Sequence, residues 1–258
     1  MSFVWKQIQS ATFPLILISA SIVSSGMPVY RYDFLLLVAI LAQIGFIASK
    51  WETFREFAVT LVFHALGLAL ELFKVHHGSW EYPGESLTKI GGVPVYSGFM
   101  YASIASYVMQ AKRRFCLEFE NWPKTGLLAV LLTLVYLNFF TNRWILDCRF
   151  SILMFAFLLF ARTRVRFTTV QAANGTLATS RTMAMPLAFV FIGSFVWVTE
   201  HLCTFLGVWR YPDQHQVWTW VGISKLPSWW MMTIVGVSLV VKLAKLDAPV
   251  RNEARATS

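Results

Sequence analysis

Charge is what this chain has least of: 14% of its 258 residues are charged, and Asp and Glu together number 13. Soluble domains carry about 25% charged residues. With 57% hydrophobic residues and a mean hydropathy of +0.57, the chain holds more apolar surface than a globule of this size can bury. A water-soluble fold is thereby excluded in favour of a membrane protein. Cysteine is scarce too: Cys116, Cys148 and Cys203 form no C-x-x-C and no even set, which excludes a disulfide framework and a zinc site. The five histidines, His64, His76, His77, His201 and His215, make no H-x-x-x-H or H-x-x-H-H box. That argues against the membrane di-iron desaturases and hydroxylases, and no metal is expected. There is no P-loop, no Gly-x-Ser-x-Gly and no Ser/His/Asp triad order, and Gly91-Gly92-Val93-Pro94 is too short for a nucleotide loop. No cofactor is implied.

What is present is a series of long apolar stretches. A spanning helix needs about 20 mainly apolar residues. Eight candidates lie near residues 11–27, 33–49, 57–75, 95–111, 125–141, 144–161, 184–206 and 228–244. The first, preceded only by Lys6, is a retained span and not a signal peptide, because seven more follow and no A-x-A-like cleavage site is evident. With the N-terminus taken as cytoplasmic, that side collects fifteen Lys and Arg and the other seven: Arg31, Lys74, Lys89, Arg143, Arg149, Arg210 and Lys225. The positive-inside bias puts both termini in the cytoplasm and residues 76–94 and 208–227 outside. The net charge of +9 then meets anionic headgroups at clusters such as Lys112-Arg113-Arg114 and needs no nucleic acid. Asn174-Gly175-Thr176 falls in a cytoplasmic loop, so this glycosylation acceptor carries no meaning.

The chain also repeats itself. Glu71, Gly78, Trp80, Tyr82 and Pro83 recur 129 residues later as Glu200, Gly207, Trp209, Tyr211 and Pro212, each time where an apolar stretch runs into an aromatic loop. The expected fold is all-α: one polytopic membrane domain over 1–258, with repeat one at about 11–111, repeat two at about 125–244 and a cytoplasmic tail at 245–258. Four spans per half is an even number, so the repeats are parallel and both aromatic loops share one face.

Polar residues inside the hydrocarbon are costly and face the bundle interior, a cavity or a partner. His64, Gly67, Glu71 and Lys74 lie three or four residues apart on one face of the third span, and Gly193, Trp197, Glu200 and Thr204 do the same on the seventh. Arg143, Asp147 and Arg149 open the sixth span, and Glu71, Asp147, Arg149 and Glu200 are expected to meet in the outer half of the membrane. Glu71 and Glu200 admit two roles: braces for Lys74, Arg149 or loop amides, or carboxylic acids that donate a proton. Asp147 fits an ion pair with Arg143 or Arg149. Trp80, Tyr82, Trp209 and Tyr211 suit an interfacial belt or a wall against which an apolar or cationic species stacks.

The segments E-L-F-K-V-H-H-G-S-W-E-Y-P, G-G-V-P-V-Y-S-G-F-M-Y-A and W-V-T-E-H-L-C-T-F-L-G-V-W-R-Y-P resemble a bacterial integral-membrane family described only as domain of unknown function 817, over most of the chain. That family implies no activity. A membrane Glu followed by Gly and an aromatic loop is also similar to integral-membrane carotenoid end-group enzymes, the heterodimer-type lycopene cyclases and the carotenoid hydratases. Their adjacent acidic pair is absent here, which bears against cyclisation more than against protonation. Two functions follow as expectations. One is acid-initiated chemistry, without cofactor, on an isoprenoid or carotenoid-like lipid, with Glu71, Glu200 and Asp147 as the acids. Trp80, Tyr82, Trp209, Tyr211, His64, Lys74 and Arg149 would line the substrate. The other is a small proton- or cation-coupled carrier or channel. Membrane lipids are the expected partners.

Overall fold

A computed structural model describes residues 2–27, 30–142, 144–170 and 179–244. Arg143, the Asn174-Gly175-Thr176 acceptor and the 245–258 tail lie outside the described residues. The described residues are mostly helical: α1 (Phe3–Ser10), α2 (Thr12–Val23), α3 (Arg31–Ala48), α4 (Phe54–His76), α5 (Ser97–Phe115), α6 (Thr125–Thr141), α7 (Arg149–Phe160), α8 (Met185–Phe205) and α9 (Leu226–Leu243). Local signals set several of these limits. Thr53 and Glu56 form a reciprocal capping box at the start of α4, and Pro186 and Pro227 occupy the first turns of α8 and α9, where the missing N–H costs nothing.

Among the described residues, four helices are long and apolar enough to cross a membrane: α3, α4, α8 and the run Ile223–Leu243 that contains α9. The first apolar stretch is broken instead of straight, with α1 and the helix from Thr12 bent by 67° at Ala11. α6 and α7 are shorter, at 17 and 12 residues, and α5, 19 residues long, ends in the cations Lys112-Arg113-Arg114 and carries few large aliphatic side chains before them. The modest apolarity of α5 before those cations has a physical cause. It runs through the middle of the bundle against α1, α2, α4 and α9, and Ala102, Ala105, Ser106 and Gln110 are buried by those neighbours. A helix solvated by protein has no need of a greasy surface. α8 shows the opposite condition, with Phe191, Phe195 and Val198 between 56% and 60% exposed along one outward face. Such a face belongs in lipid.

An all-α description needs a correction, because the described residues include two small sheets. β1 (Lys89–Ile90) and β2 (Val93–Pro94) make a hairpin around Gly91-Gly92. β3 (Glu118–Glu120), β4 (Arg164–Val170) and β5 (Thr179–Ala184) form an antiparallel sheet in the order β3-β4-β5 at the end of the bundle opposite the aromatic loops. The basic stretch after residue 161 reads as loop by composition. Its alternation Arg164-Val165-Arg166-Phe167 nevertheless has the period of a strand: Val165 is buried while Arg164 and Arg166 stay exposed, Arg166 pairing with Glu118 and Glu120.

Candidate functional site

α4 and α8 end alike. Gly78 and Gly207 adopt left-handed φ values of 66° and 67°, a conformation that costs a residue with a Cβ. The same hydrogen bonds close both helices: Gly78 N–H to the Val75 carbonyl and Ser79 N–H to Lys74, matched by Gly207 N–H to Thr204 and Val208 N–H to Cys203, all 2.9–3.0 Å. Each left-handed residue turns the chain back over its helix, which delivers the following aromatic residues onto a glutamate two turns earlier.

Both glutamates are buried, Glu71 at 3% and Glu200 at 2% exposure. Glu71 accepts three hydrogen bonds: from the Trp80 indole and the Tyr82 hydroxyl on Oε2, at 2.7 and 2.8 Å, and from the Tyr101 hydroxyl on Oε1 at 2.8 Å. Glu200 accepts two, from the Tyr211 hydroxyl on Oε1 and from the Trp229 indole on Oε2 at 2.6 Å. Each acid thus takes one donor from the helix that follows its loop, Tyr101 on α5 and Trp229 on α9. Burial, reinforced by the Glu71 charge, pushes the Tyr82 phenol well above its ordinary pKa, and burial with Glu200 does the same to Tyr211. Both loop tyrosines therefore remain protonated and able to donate.

The two loops are stitched together. Glu81 and Arg210 exchange backbone hydrogen bonds of 2.9 Å in an isolated antiparallel bridge, and the Trp80 ring meets the Tyr211 ring edge-on at 6.1 Å. Beneath this joint lies a cavity of about 910 Å³, lined by both glutamates and mainly apolar side chains from α2, α4, α5, α8 and α9, and reaching Gln7 and Tyr107. Three cations stand in its wall at the loop end: Lys74, Arg149 and Lys225.

Eight of the ten residues singled out from the sequence line this cavity: Glu71, Glu200, Trp80, Tyr82, Trp209, Tyr211, Lys74 and Arg149. Two do not. His64 packs its ring 4.2 Å from Phe99, away from the cavity. Asp147 is exposed and held by Arg149 at 2.5 Å and by the Asn138 amide at 3.2 Å. Partial burial acts to raise the Asp147 pKa, but the hydrogen bonds from Arg149 and Asn138 outweigh it and leave the carboxyl below its ordinary value. Trp209 lines the cavity but gives Glu200 no hydrogen bond; Trp229 does so. Tyr101, Trp229 and Lys225 are the additions the structure makes. Their sequence signal is weak, because Tyr101 and Trp229 follow their acids by 30 and 29 residues and share neither residue type nor register. Among the described residues no three His, Cys, Asp or Glu side chains are placed to share a metal ion.

The family model described as "Protein of unknown function (DUF817)" matches residues 1–237. The Bacillus subtilis (strain 168) protein named "Uncharacterized protein YoaT" is 40% identical over 256 residues, covering 97% of this chain and 94% of that one. Among solved structures, a cross-linked MvINS trimer is similar with a TM-score of 0.52 at 13% identity, covering 77% of this chain and 97% of the MvINS chain. That likeness is one of fold alone, and none of these matches bears on carotenoid enzymes. The chain belongs to the DUF817 family.

Proposed function

We propose that this DUF817 member holds an unsaturated isoprenoid or carotenoid-like lipid in its cavity and rearranges it by proton transfer, with Glu200 as the acid. The observation that carries this reading is that two buried carboxyls and four loop aromatics line one apolar cavity of lipid dimensions. A carboxyl has about four lone-pair sites. Glu71 commits three to fixed donors and is the better brace, whereas Glu200 commits two and sits against the hydroxyl of Tyr211, which can accept as well as donate. In the step proposed, the Glu200 O–H bond breaks and its proton forms a C–H bond at one alkene carbon, leaving a carbocation and a carboxylate. Loss of a proton from the next carbon to Glu200 then shifts the double bond and regenerates the acid. Ring faces of Trp80, Tyr82, Trp209 and Tyr211 offer negative charge to the cation between the two steps. No cofactor enters this balance. The carrier reading has less support, because Asp147 faces Arg149 and Asn138 instead of the cavity.

The finer architecture is part of the same proposal: about eight spans in two parallel four-helix repeats, an inner membrane location, cytoplasmic termini and external aromatic loops. Its support is that matching positions meet. The helix ends close with the same hydrogen bonds at an offset of 129 residues, and the bridge pairs Glu81 with Arg210, which are themselves 129 apart. A two-fold axis along the membrane normal generates such a self-paired bridge. Cysteines placed by Glu85→Cys and Asp213→Cys in a cysteine-free background should both react with an impermeant thiol reagent in intact cells. Labelling of only one, or of neither until the cells are opened, defeats the topology.

The chemistry is tested by mass spectrometry of lipid extracts from cells with the gene, without it, and with Glu200→Gln. The expected result is a lipid change that requires the gene and disappears in the variant while the protein remains in the membrane at its normal level. A Glu200→Gln profile identical to wild type rejects Glu200 as the acid.

A further inference from the structure

The loop end of the cavity carries more positive charge than it answers. Arg149 is matched by Asp147, and its remaining N–H groups reach the Ser224 carbonyl at 3.2 Å and the Ser228 hydroxyl at 3.3 Å. Lys74 and Lys225, by contrast, form no ion pair among the described residues. The Lys74 ammonium donates to the Phe139 carbonyl at 2.7 Å and lies 4.1 Å from the Phe139 ring centre, while Lys225 sits 3.9 Å from the ring centre of Tyr211. Both are half-buried in the cavity wall, and the charges of Lys74, Lys225 and Arg149 act on one another. The acids whose charges reach the two lysines are Asp147, already taken by Arg149, and Glu200 and Asp213, neither at ion-pair distance. Gathering like charges beside an apolar cavity is unfavourable unless an anion completes the group.

We infer that this corner is a headgroup site for a phosphate-monoester lipid, its phosphate held by Lys74 and Lys225 beside Arg149 and its chain lying along the apolar cavity past Glu71 and Glu200. The charge decides the class of head. Two unanswered lysines match a phosphate monoester, which carries about −1.5 to −2 near neutrality, where a carboxylate would leave one lysine over. The wall offers neutral donors for the remaining oxygens, in the Ser79 and Ser228 hydroxyls and the Asn142 amide. The chain below requires an amphiphile and not a free anion, since the cavity continues as far as Gln7 and Tyr107 between apolar side chains. This inference deepens the proposed function by naming the lipid's head, but binding does not require the proton step.

The purified full chain in uncharged detergent should be titrated with hexadecyl phosphate, hexadecanol and inorganic phosphate, with native mass spectrometry counting the bound species. Charge-assisted hydrogen bonds are about twice as strong as neutral ones, so hexadecyl phosphate should bind one to one and at least about tenfold more tightly than hexadecanol. Lys74→Gln with Lys225→Gln should remove that preference and leave hexadecanol binding unchanged. Lys74→Arg with Lys225→Arg should retain it. Equal binding of phosphate and alcohol, or a preference that survives the double Gln variant, overturns the site. So does inorganic phosphate that competes as well as hexadecyl phosphate, which would mark a free-anion site. Glu200→Gln separates the two ideas: it should keep the preference for hexadecyl phosphate over hexadecanol, whatever becomes of lipid conversion. A lost conversion with no head preference in wild type defeats the headgroup site and leaves the acid in place.

Discussion

The two acid clusters have the same frame and a different load. α4 and α8 each end in a left-handed glycine, and each returns an aromatic loop over a buried glutamate. On the first, three donors converge on Glu71, one of them the Trp of the loop itself. On the second, the loop Trp is not used, the donor comes from Trp229, and Lys225 lies on the ring of the tyrosine that binds the acid. The frame sets where a carboxyl can be held. The number and kind of donors decide whether it has capacity left for chemistry.

That comparison predicts unequal costs where the load differs. Glu71→Ala strands three donors, one buried and two part-buried, and should lower stability by about 4 kcal/mol, against about 3 for Glu200→Ala with one of each, at roughly 1–3 kcal/mol per unsatisfied group. Unfolding of the purified variants in detergent reads the difference, and a Glu200→Ala loss equal to or above that of Glu71→Ala breaks the assignment of Glu71 as the brace. Equal costs are expected where the frame is shared. Nothing within 4 Å would meet a Cβ at Gly78 or Gly207, so Gly78→Ala and Gly207→Ala should each cost only the left-handed backbone strain, about 1–2 kcal/mol. A gap wider than about 1 kcal/mol between them would show that the two helix ends are not energetically alike. Smaller still is the indole effect: Trp80→Phe should cost about 1 kcal/mol more than Trp209→Phe, because only Trp80 loses a hydrogen bond to its acid.

The frame was legible in the sequence because a repeated turn needs repeated letters. Gly78 and Gly207 are demanded by φ, and the Trp-x-Tyr-Pro residues after them fall in the same register. The load was not legible. Tyr101 and Trp229 reach their acids from the next helix, where different side chains at slightly different positions satisfy the same need, so self-comparison passes over them. Nothing in the sequence sets Lys225 apart from the other outer cations; the fold sets it beside Lys74 and Arg149. The modest hydropathy of α5 fits a helix wrapped by protein, which composition alone does not reveal, and the β3-β4-β5 sheet lies in a run of arginines whose alternation is its signal. Depth alone groups Asp147 with the acids and cannot reveal which way a side chain turns, whereas its nearness in sequence to Arg149 points to the ion pair that the structure shows.

The smallest expected effect concerns that aspartate. Asp147 holds Arg149 in the cavity wall and so belongs to the second cluster's surroundings, although it lies outside the cavity. Its carboxyl sits below the ordinary value in the folded chain, since hydrogen bonds from Arg149 and Asn138 overcome the opposing effect of burial. A depressed carboxyl stabilises the fold above its unfolded pKa, near 4, and that contribution fades as pH falls through the lower folded value. The pair is largely solvent-screened, so Asp147→Asn should cost less than about 1 kcal/mol at pH 7. The stability gap between wild type and Asp147→Asn should hold constant from pH 7 to about pH 5 and close below about pH 4. If the gap instead widens on acidification, Asp147 is not the ionised partner of Arg149, and the cation in the second cluster's wall would lack its counter-charge.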